Sequence, residues 1–362
     1  MTTRLRVAVL LGGQSAEHDV SILSAGNVVR AIDKAKYEVV PILISRSGDW
    51  RLLELQNGVL PDPIPEGGAG ICLLPGGRGR LLCLPKGGAP EELPAVDVVF
   101  PVLHGLNGED GSIQGLAQIA GVPLVGCGIL GSATAIDKDI AKRLLREAGL
   151  AVARSITVRR GETPSFEEAS TALGLPLFVK PARQGSSVGV SKAATADEFR
   201  AALAEGFKYD QKLLVEEFIQ GREIECSVLE QAGAETIVSV PGEIAPAASH
   251  GFYTYAAKYL DADGAAINIP ADLPAEVTER IRGLALQAFQ ALGCDGMARV
   301  DFFVQPDMSA VVNEINTIPG FTDISMYPKA LAASGIAYPD LIDRVIQHGL
   351  ARARAATIPA GA

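Results

Sequence analysis

Short apolar runs ending in glycine or proline alternate with helically spaced stretches from the start of the chain. "RVAVLLGG" reads as a parallel strand buried on both faces, because such strands are apolar throughout rather than alternating. "SILSAGNVVRAI" then places Ile22, Ala25, Val29 and Ile32 on one helical face. "YEVVPILIS" is a second strand and "VDVVFPVLHG" a third. This alternation predicts an open α/β domain over roughly the first third. Residues 57–94 interrupt it with "PEGGAG", "PGGRGR" and "PKGGAP", which read as short strands and turns on the surface.

Further on, "DIAKRLLREAG" predicts an amphipathic helix closed by Gly149. Helices also begin at Ser165 with Glu168 and at Thr195 with Glu198, both in capping-box spacing. "LPLFVKP" and "SVGVSKA" read as strands around a polar glycine loop, and "KLLVEEFI" and "EIECSVLE" as a pair. "AEVTERIRGLALQAFQALG" and "YPDLIDRVIQHGLARARA" predict long helices, and the tail "ATIPAGA" reads as disordered.

The balance of 42 acidic against 32 basic residues gives a net charge of −10, which argues against non-specific nucleic-acid binding. The five cysteines form no CxxC and read as reduced thiols of a cytoplasmic protein. The apolar run after Arg4 and Arg6 is too short for a signal peptide, and no stretch is long enough to span a membrane.

The chemistry concentrates in "ARVDFFV" and "VVNEINTIPG", joined by the hairpin-like "QPDMS". Alternation puts Val312, Glu314 and Asn316 on one face, and Arg299, Asp301 and Phe303 on one face of the preceding strand. A register pairing Asp301 with Glu314 also pairs Arg299 with Asn316. Two acids so placed repel unless a cation lies between them, and such hard oxygen donors suit Mg²⁺. An Arg–Asp–Glu salt-bridge network on a solvated face is the competing reading. The loop in "VKPARQGSSVGVSK" offers N–H and hydroxyl donors to phosphate, or is a plain Gly/Ser turn. It is neither a Walker loop nor a dinucleotide fingerprint. Lys138 stands just before a helix, where a solvated lysine is the default. Glu17, after "LLGG", either holds a substrate ammonium or is an acid favoured by a helix N-terminus. His104, in "HGLNGEDGSIQG", reads as structural.

With these stretches in order, the chain resembles the ATP-grasp superfamily, and within it the D-alanine–D-alanine ligases. "GGQSAEHDVS", "HGLNGEDGSIQG", "DKDIAKRLL", "VKPARQGSSVGVSK", "GREIECSV", "YTYAAKY", "ARVDFF", "NEINTIPGFT" and "SMYPKA" carry the resemblance. It implies an N-terminal α/β domain (1–127), a small central α+β domain (128–218) and a C-terminal α+β catalytic domain (219–350), with ATP between the last two and a tail from 351. It implies ligation of two D-alanines through an acylphosphate, for peptidoglycan synthesis. ATP and two Mg²⁺ (or Mn²⁺) are the implied cofactors, a monovalent cation a further candidate, and a homodimer the implied assembly. Asp301, Glu314 and Asn316 would hold the metal. Lys138 and Lys180 would meet phosphate. Glu216, Glu223, Lys258 and the backbone from Glu217 to Ile219 would hold the nucleoside side. Arg299 and the Gly320 N–H would stabilise the oxyanion. Glu17 would bind the first ammonium, and Ser325 with the Met326 N–H the second carboxylate. Ser186 and Tyr259 would link to Glu17 under a lid at 246–262. Tyr259 resembles the dipeptide-forming type, so D-lactate is the less favoured acceptor, and another ATP-grasp amino-acid or peptide ligase the wider alternative. A non-catalytic nucleotide-binding or dehydrogenase-like module is disfavoured by the missing fingerprint.

Overall fold

A computed structural model of the chain describes residues 4–65, 67–246 and 265–356. The described strands form three sheets. In the first, β1 (Leu5–Gly12) pairs in parallel with β2 (Tyr37–Ile44) and β7 (Val98–Pro101), and α1 (His18–Ala31) crosses between β1 and β2. Val7 to Leu11 are all buried, as a strand covered on both faces requires. Gly12 ends β1 at φ +86°, where a Cβ would lie 2.4 Å from the Ile44 carbonyl, so only glycine fits the turn.

The Gly/Pro-rich stretch does form short strands, but they are not a surface decoration. β3 (Trp50–Leu52), β4 (Gly70–Leu73), β5 (Leu81–Leu84) and β6 (Glu91–Leu93) extend the first sheet outward from β2 in antiparallel pairs. Ile71, Leu73 and Leu81 turn one face inward and pack with Leu10 and Ile42. The alternation that does this is confined to four-residue strands, too short to stand out among the glycines.

The second sheet is antiparallel, in the order β10 (Ser191–Ala193), β9 (Leu177–Pro181), β11 (Lys212–Glu217), β8 (Ser155–Arg159). α5 (Phe166–Leu173) and α6 (Ala196–Gly206) cover it through Ala169, Leu173, Phe199 and Ala202. Thr195 and Glu198 form a full capping box, while Ser165 accepts the Glu168 N–H.

The third sheet runs β15 (Ala265–Asn268), β14 (Gly242–Pro246), β12 (Arg222–Leu229), β16 (Met297–Val304), β17 (Ala310–Asn316), with β13 (Ile237–Val238) beside β12. α4 (Lys138–Glu147) and α7 (Ala275–Ala291) bury Ala141, Leu145, Ile281 and Phe289 against Ile224, Val300 and Phe302. α2 (Ser112–Ala120) packs on the first sheet through Ile113 and Ala117. α8 (Met326–Ala333) and α9 (Tyr338–Ala356) contribute Tyr327, Leu331, Ile342 and Ile346 to the core under α1. Among the described residues, no helix is long and apolar enough to cross a membrane.

Three further expectations are corrected. β11 and β12 are not a pair: β11 lies in the second sheet and β12 in the third, so Phe218–Gly221 passes between sheets rather than closing a hairpin. Four residues between two apolar runs have the same spacing in either case. Val312 does not share the face of Glu314. The ladder shifts at Asn313, pairing Asp301 with Glu314 but Phe302 with Val312, and an extra residue moves preceding side chains to the other face. Val312 is therefore core. Lys138 is the first residue of α4, not a residue before it, with Asp137 as its N-cap.

Candidate active site

The expected register is present: Asp301 lies opposite Glu314, and Arg299 opposite Asn316. On the other side of β16, Glu225 of β12 lies opposite Asp301, so three carboxylates form a row across three strands. Arg299 forks onto Asp301 with two 2.7 Å hydrogen bonds, and its Nε lies 3.0 Å from Glu225. Asn316 donates to Asp301 at 3.0 Å, and Lys138 Nζ lies 3.2 Å from Glu314. Burial alone would lower the Arg299 pKa, but Asp301, Glu225 and Glu314 hold it well above its ordinary value. Among the described residues these three acids contact Arg299 and Lys138, and the donors are hard oxygens. The cluster therefore fits a divalent cation of the Mg²⁺ class.

Facing this row is a cationic wall. Lys180 of β9 and Lys142 of α4 contact the two oxygens of Glu216 at 2.7 and 3.0 Å. Burial pushes the Glu216 pKa up, but the two ammoniums outweigh it and leave it lowered. Glu216 thus lines the cleft while its carboxylate is engaged in orienting lysines. The cleft between wall and row has a volume of about 510 Å³ and is also lined by Glu217, Ile219, Glu223 and Phe303. Phe178 and Phe218 stack along it at 5.7 Å. The Glu217 carboxylate turns away and accepts from Arg154 at 2.6 and 2.7 Å, so its backbone is what remains toward the cleft. Lys138 also donates to the Gln184 carbonyl at 2.7 Å, which ties α4 to the glycine loop.

In that loop Ser186 and Ser187 both adopt positive φ, 50° and 60°. Non-glycine residues seldom hold this conformation outside sites that use it. Ser186 Oγ donates to the Glu17 carboxylate, and a Cβ on Gly185 would lie 2.8 Å from Glu17 Oε2. Glu17 occupies the N-cap of α1 but makes no side-chain cap bond. Its carboxylate therefore bonds to the glycine loop rather than closing a cap on α1, while its place at the N-terminus still suits the helix dipole. A second cavity of about 110 Å³ joins Glu17 and Ser186 to Arg299, Asn316, Gly320, Ser325 and Met326. Ser325 is the N-cap of α8, so the Met326 N–H stands in the first turn of a helix, where anions are favoured. Its hydroxyl is held by Thr322, accepting the N–H at 2.9 Å. His104 Nδ1 donates to the Ile318 carbonyl at 3.0 Å, the structural role expected of it. Glu109 accepts the Gly105 and Ile318 N–H groups at 2.8 Å each, and burial pushes its pKa up to about 7.

Lys258, Tyr259 and residues 247–262 of the expected lid lie outside the described residues, as do 357–362 of the tail. Lys142, Glu225 and Glu109 are absent from the sequence expectations. Lys142 is four residues from Lys138, which puts both on one helical face. Glu225 alternates with Glu223, which puts both on one strand face. Glu109 carries no such signal.

The comparisons with known proteins converge on this geometry. The sequence profile "D-ala D-ala ligase N-terminus" matches residues 6–127, and "D-ala D-ala ligase C-terminus" matches 144–347. The chain belongs to the D-alanine–D-alanine ligase family. Within that family it is 61% identical over 358 residues to "D-alanine--D-alanine ligase A" of Mesorhizobium japonicum, covering 98% of this chain and 100% of the relative. It is 59% identical to the protein of the same name from Brucella suis, covering 96% and 98%. Among solved structures, the D-alanine-D-alanine ligase from Coxiella burnetii superposes with a TM-score of 0.85 at 38% identity, covering 97% and 95%. The VanG D-Ala:D-Ser ligase from Enterococcus faecalis does so at 0.83 and 37%, covering 96% and 100%. Both share the ATP-grasp architecture of this chain.

Proposed function

We propose that this protein joins two D-alanines to D-alanyl-D-alanine with ATP, releasing ADP and phosphate, for peptidoglycan precursor synthesis in the cytoplasm. The observation that carries the reading is the acidic row of β12, β16 and β17 facing the lysine wall of α4 and β9. Lys138 and Lys180 meet the phosphates, and the Glu217–Ile219 backbone with Glu223, Glu216 and Lys258 surrounds the nucleoside. Asp301, Glu314 and Asn316 would hold Mg²⁺ or Mn²⁺, two ions in all, which would supply positive charge for the phosphates. A monovalent cation is a further proposed requirement, and a homodimer the proposed assembly. The three-part division at 1–127, 128–218 and 219–350 belongs to the same reading.

Glu17, steadied by Ser186 and Tyr259, takes the ammonium of the first D-alanine. That leaves its carboxylate to attack the γ-phosphorus, forming the acylphosphate as ADP departs. Ser325 and the Met326 N–H hold the carboxylate of the second D-alanine. Its amine, once deprotonated, attacks the acyl carbon. Arg299 and the Gly320 N–H receive the charge on the tetrahedral oxygen, and phosphate leaves.

The experiment is ADP and phosphate release with Mg²⁺, with and without D-alanine, and chromatography of the product. D-alanine-dependent release with dipeptide formed is the expected result. The likeness to a D-Ala:D-Ser ligase makes D-serine, alongside D-lactate, the acceptor to run in parallel. A preference for either over D-alanine overturns the acceptor assignment.

A further inference from the structure

Arg299 has two carboxylate partners on one face of the sheet. Its Nε and Nη2 occupy both oxygens of Asp301, and the same Nε is 3.0 Å from Glu225. A fork on Asp301 competes with a cation on Asp301. The guanidinium takes one lone pair on each Asp301 oxygen, Asn316 takes a second on Oδ2, and the positive charge repels a cation beside it. Yet releasing Asp301 with no substitute would strand a largely buried guanidinium, which is strongly unfavourable. Glu225 is placed to prevent this. It lies directly across from Asp301, with an oxygen 3.0 Å from the Arg299 Nε. Nε is already within reach of both acids, so the exchange needs a turn of the guanidinium rather than a movement of strands.

Building on the roles proposed above for Asp301 and Arg299, we infer that Glu225 is a positioning residue that takes the guanidinium when Asp301 turns to the cation. One arginine can then stay aimed at the oxyanion while Asp301 serves as a metal ligand. Without Glu225, Arg299 stays on Asp301 and the two functions exclude each other.

The test is Mn²⁺ affinity of the full chain, read from the electron paramagnetic resonance of free Mn²⁺, in a double-mutant cycle. Glu225→Gln should weaken Mn²⁺ binding roughly tenfold, since pairs in one charge network couple at this scale. In an Arg299→Gln background no guanidinium competes, and Glu225→Gln should then change the affinity by about twofold or less. The same loss in both backgrounds would reduce Glu225 to a through-space charge and overturn the inference, as would an unchanged affinity in Glu225→Gln itself. Asp301→Asn separates the two levels of the argument. If it leaves Mn²⁺ binding intact, the cation assignment falls and takes the inference with it. If it abolishes binding while the Glu225 variants behave as wild type, only the inference falls. Should Arg299→Gln fail to fold, Glu225→Asp replaces it. That change keeps the charge but withdraws the oxygen from Nε, so a loss matching Glu225→Gln supports the contact and wild-type affinity overturns it.

Discussion

Glu216 and Glu314 stand in opposite walls of one cleft, and their surroundings are opposite in sign. Glu216 is a single carboxylate between two ammoniums, Lys142 and Lys180. Glu314 belongs to a row of three carboxylates that share Arg299 and Lys138. One wall therefore carries an excess of positive charge and the other of negative charge. A ligand that is anionic on one side and carries divalent cations on the other satisfies both, which is the charge pattern of a magnesium-bound nucleoside triphosphate. Glu109 is a third case, a buried carboxyl that accepts two peptide N–H groups, whose effect burial outweighs. The comparison teaches that burial alone does not mark a catalytic acid. What compensates the charge decides whether the group is structural or awaits a ligand.

The sharpest break of this comparison is Glu216→Gln. Two buried ammoniums lose their counter-charge, and breaking a buried pair costs about 3–5 kcal/mol. Denaturant unfolding should show that loss, and a stability within 1 kcal/mol (about the effect of a surface pair) of wild type would mean the lysines need no partner. Glu314→Gln should do the reverse. Stability should hold or rise because a crowded acid is neutralised, while turnover falls on the order of 10²–10³-fold, the scale of losing one preorganised charge contact. Undiminished activity at ordinary Mg²⁺ would remove Glu314 from the metal set.

Glu109 tests the third environment through pH. Its folded pKa of about 7 lies above the ordinary 4.5, so the folded state binds the proton more tightly than the unfolded chain. Its contribution is fully present below 4.5 and is lost as pH rises through about 7. The stability of wild type relative to Glu109→Gln should therefore fall by about 3 kcal/mol across that window. A flat difference would show that the two N–H bonds keep the carboxylate ionised throughout. The smallest effect is expected for Arg299→Lys. Lysine keeps the charge but not the fork, so kcat should drop about 100-fold with the ATP KM little changed. A change confined to the ATP KM would move Arg299 out of the oxyanion role.

Much of this site was legible because hairpin geometry is local. The five-residue loop 305–309 sets the register beside it, pairing Val304 with Ala310, and the shift at Asn313 then brings Asp301 opposite Glu314. The same logic failed at Val312, since a bulge at Asn313 leaves no mark in residue type. It failed again where β11 and β12 part into different sheets, because a four-residue link can turn back or carry on.

The amino-acid order alone determined the alternation of strands and helices, their caps, the glycine turns after β1, and that β16 and β17 form a hairpin carrying acids on adjacent strands. These depend on backbone sterics and period, which act over a few residues. Only the tertiary structure decided which cation faces which acid. Glu17 reaches Ser186 across 169 positions, Lys142 and Lys180 converge on Glu216 from a helix and a strand, and Glu225 joins Asp301 from the neighbouring strand. Charge interactions depend on distance in space and on the solvent excluded between the groups, and neither is set until the sheets have closed around the cleft.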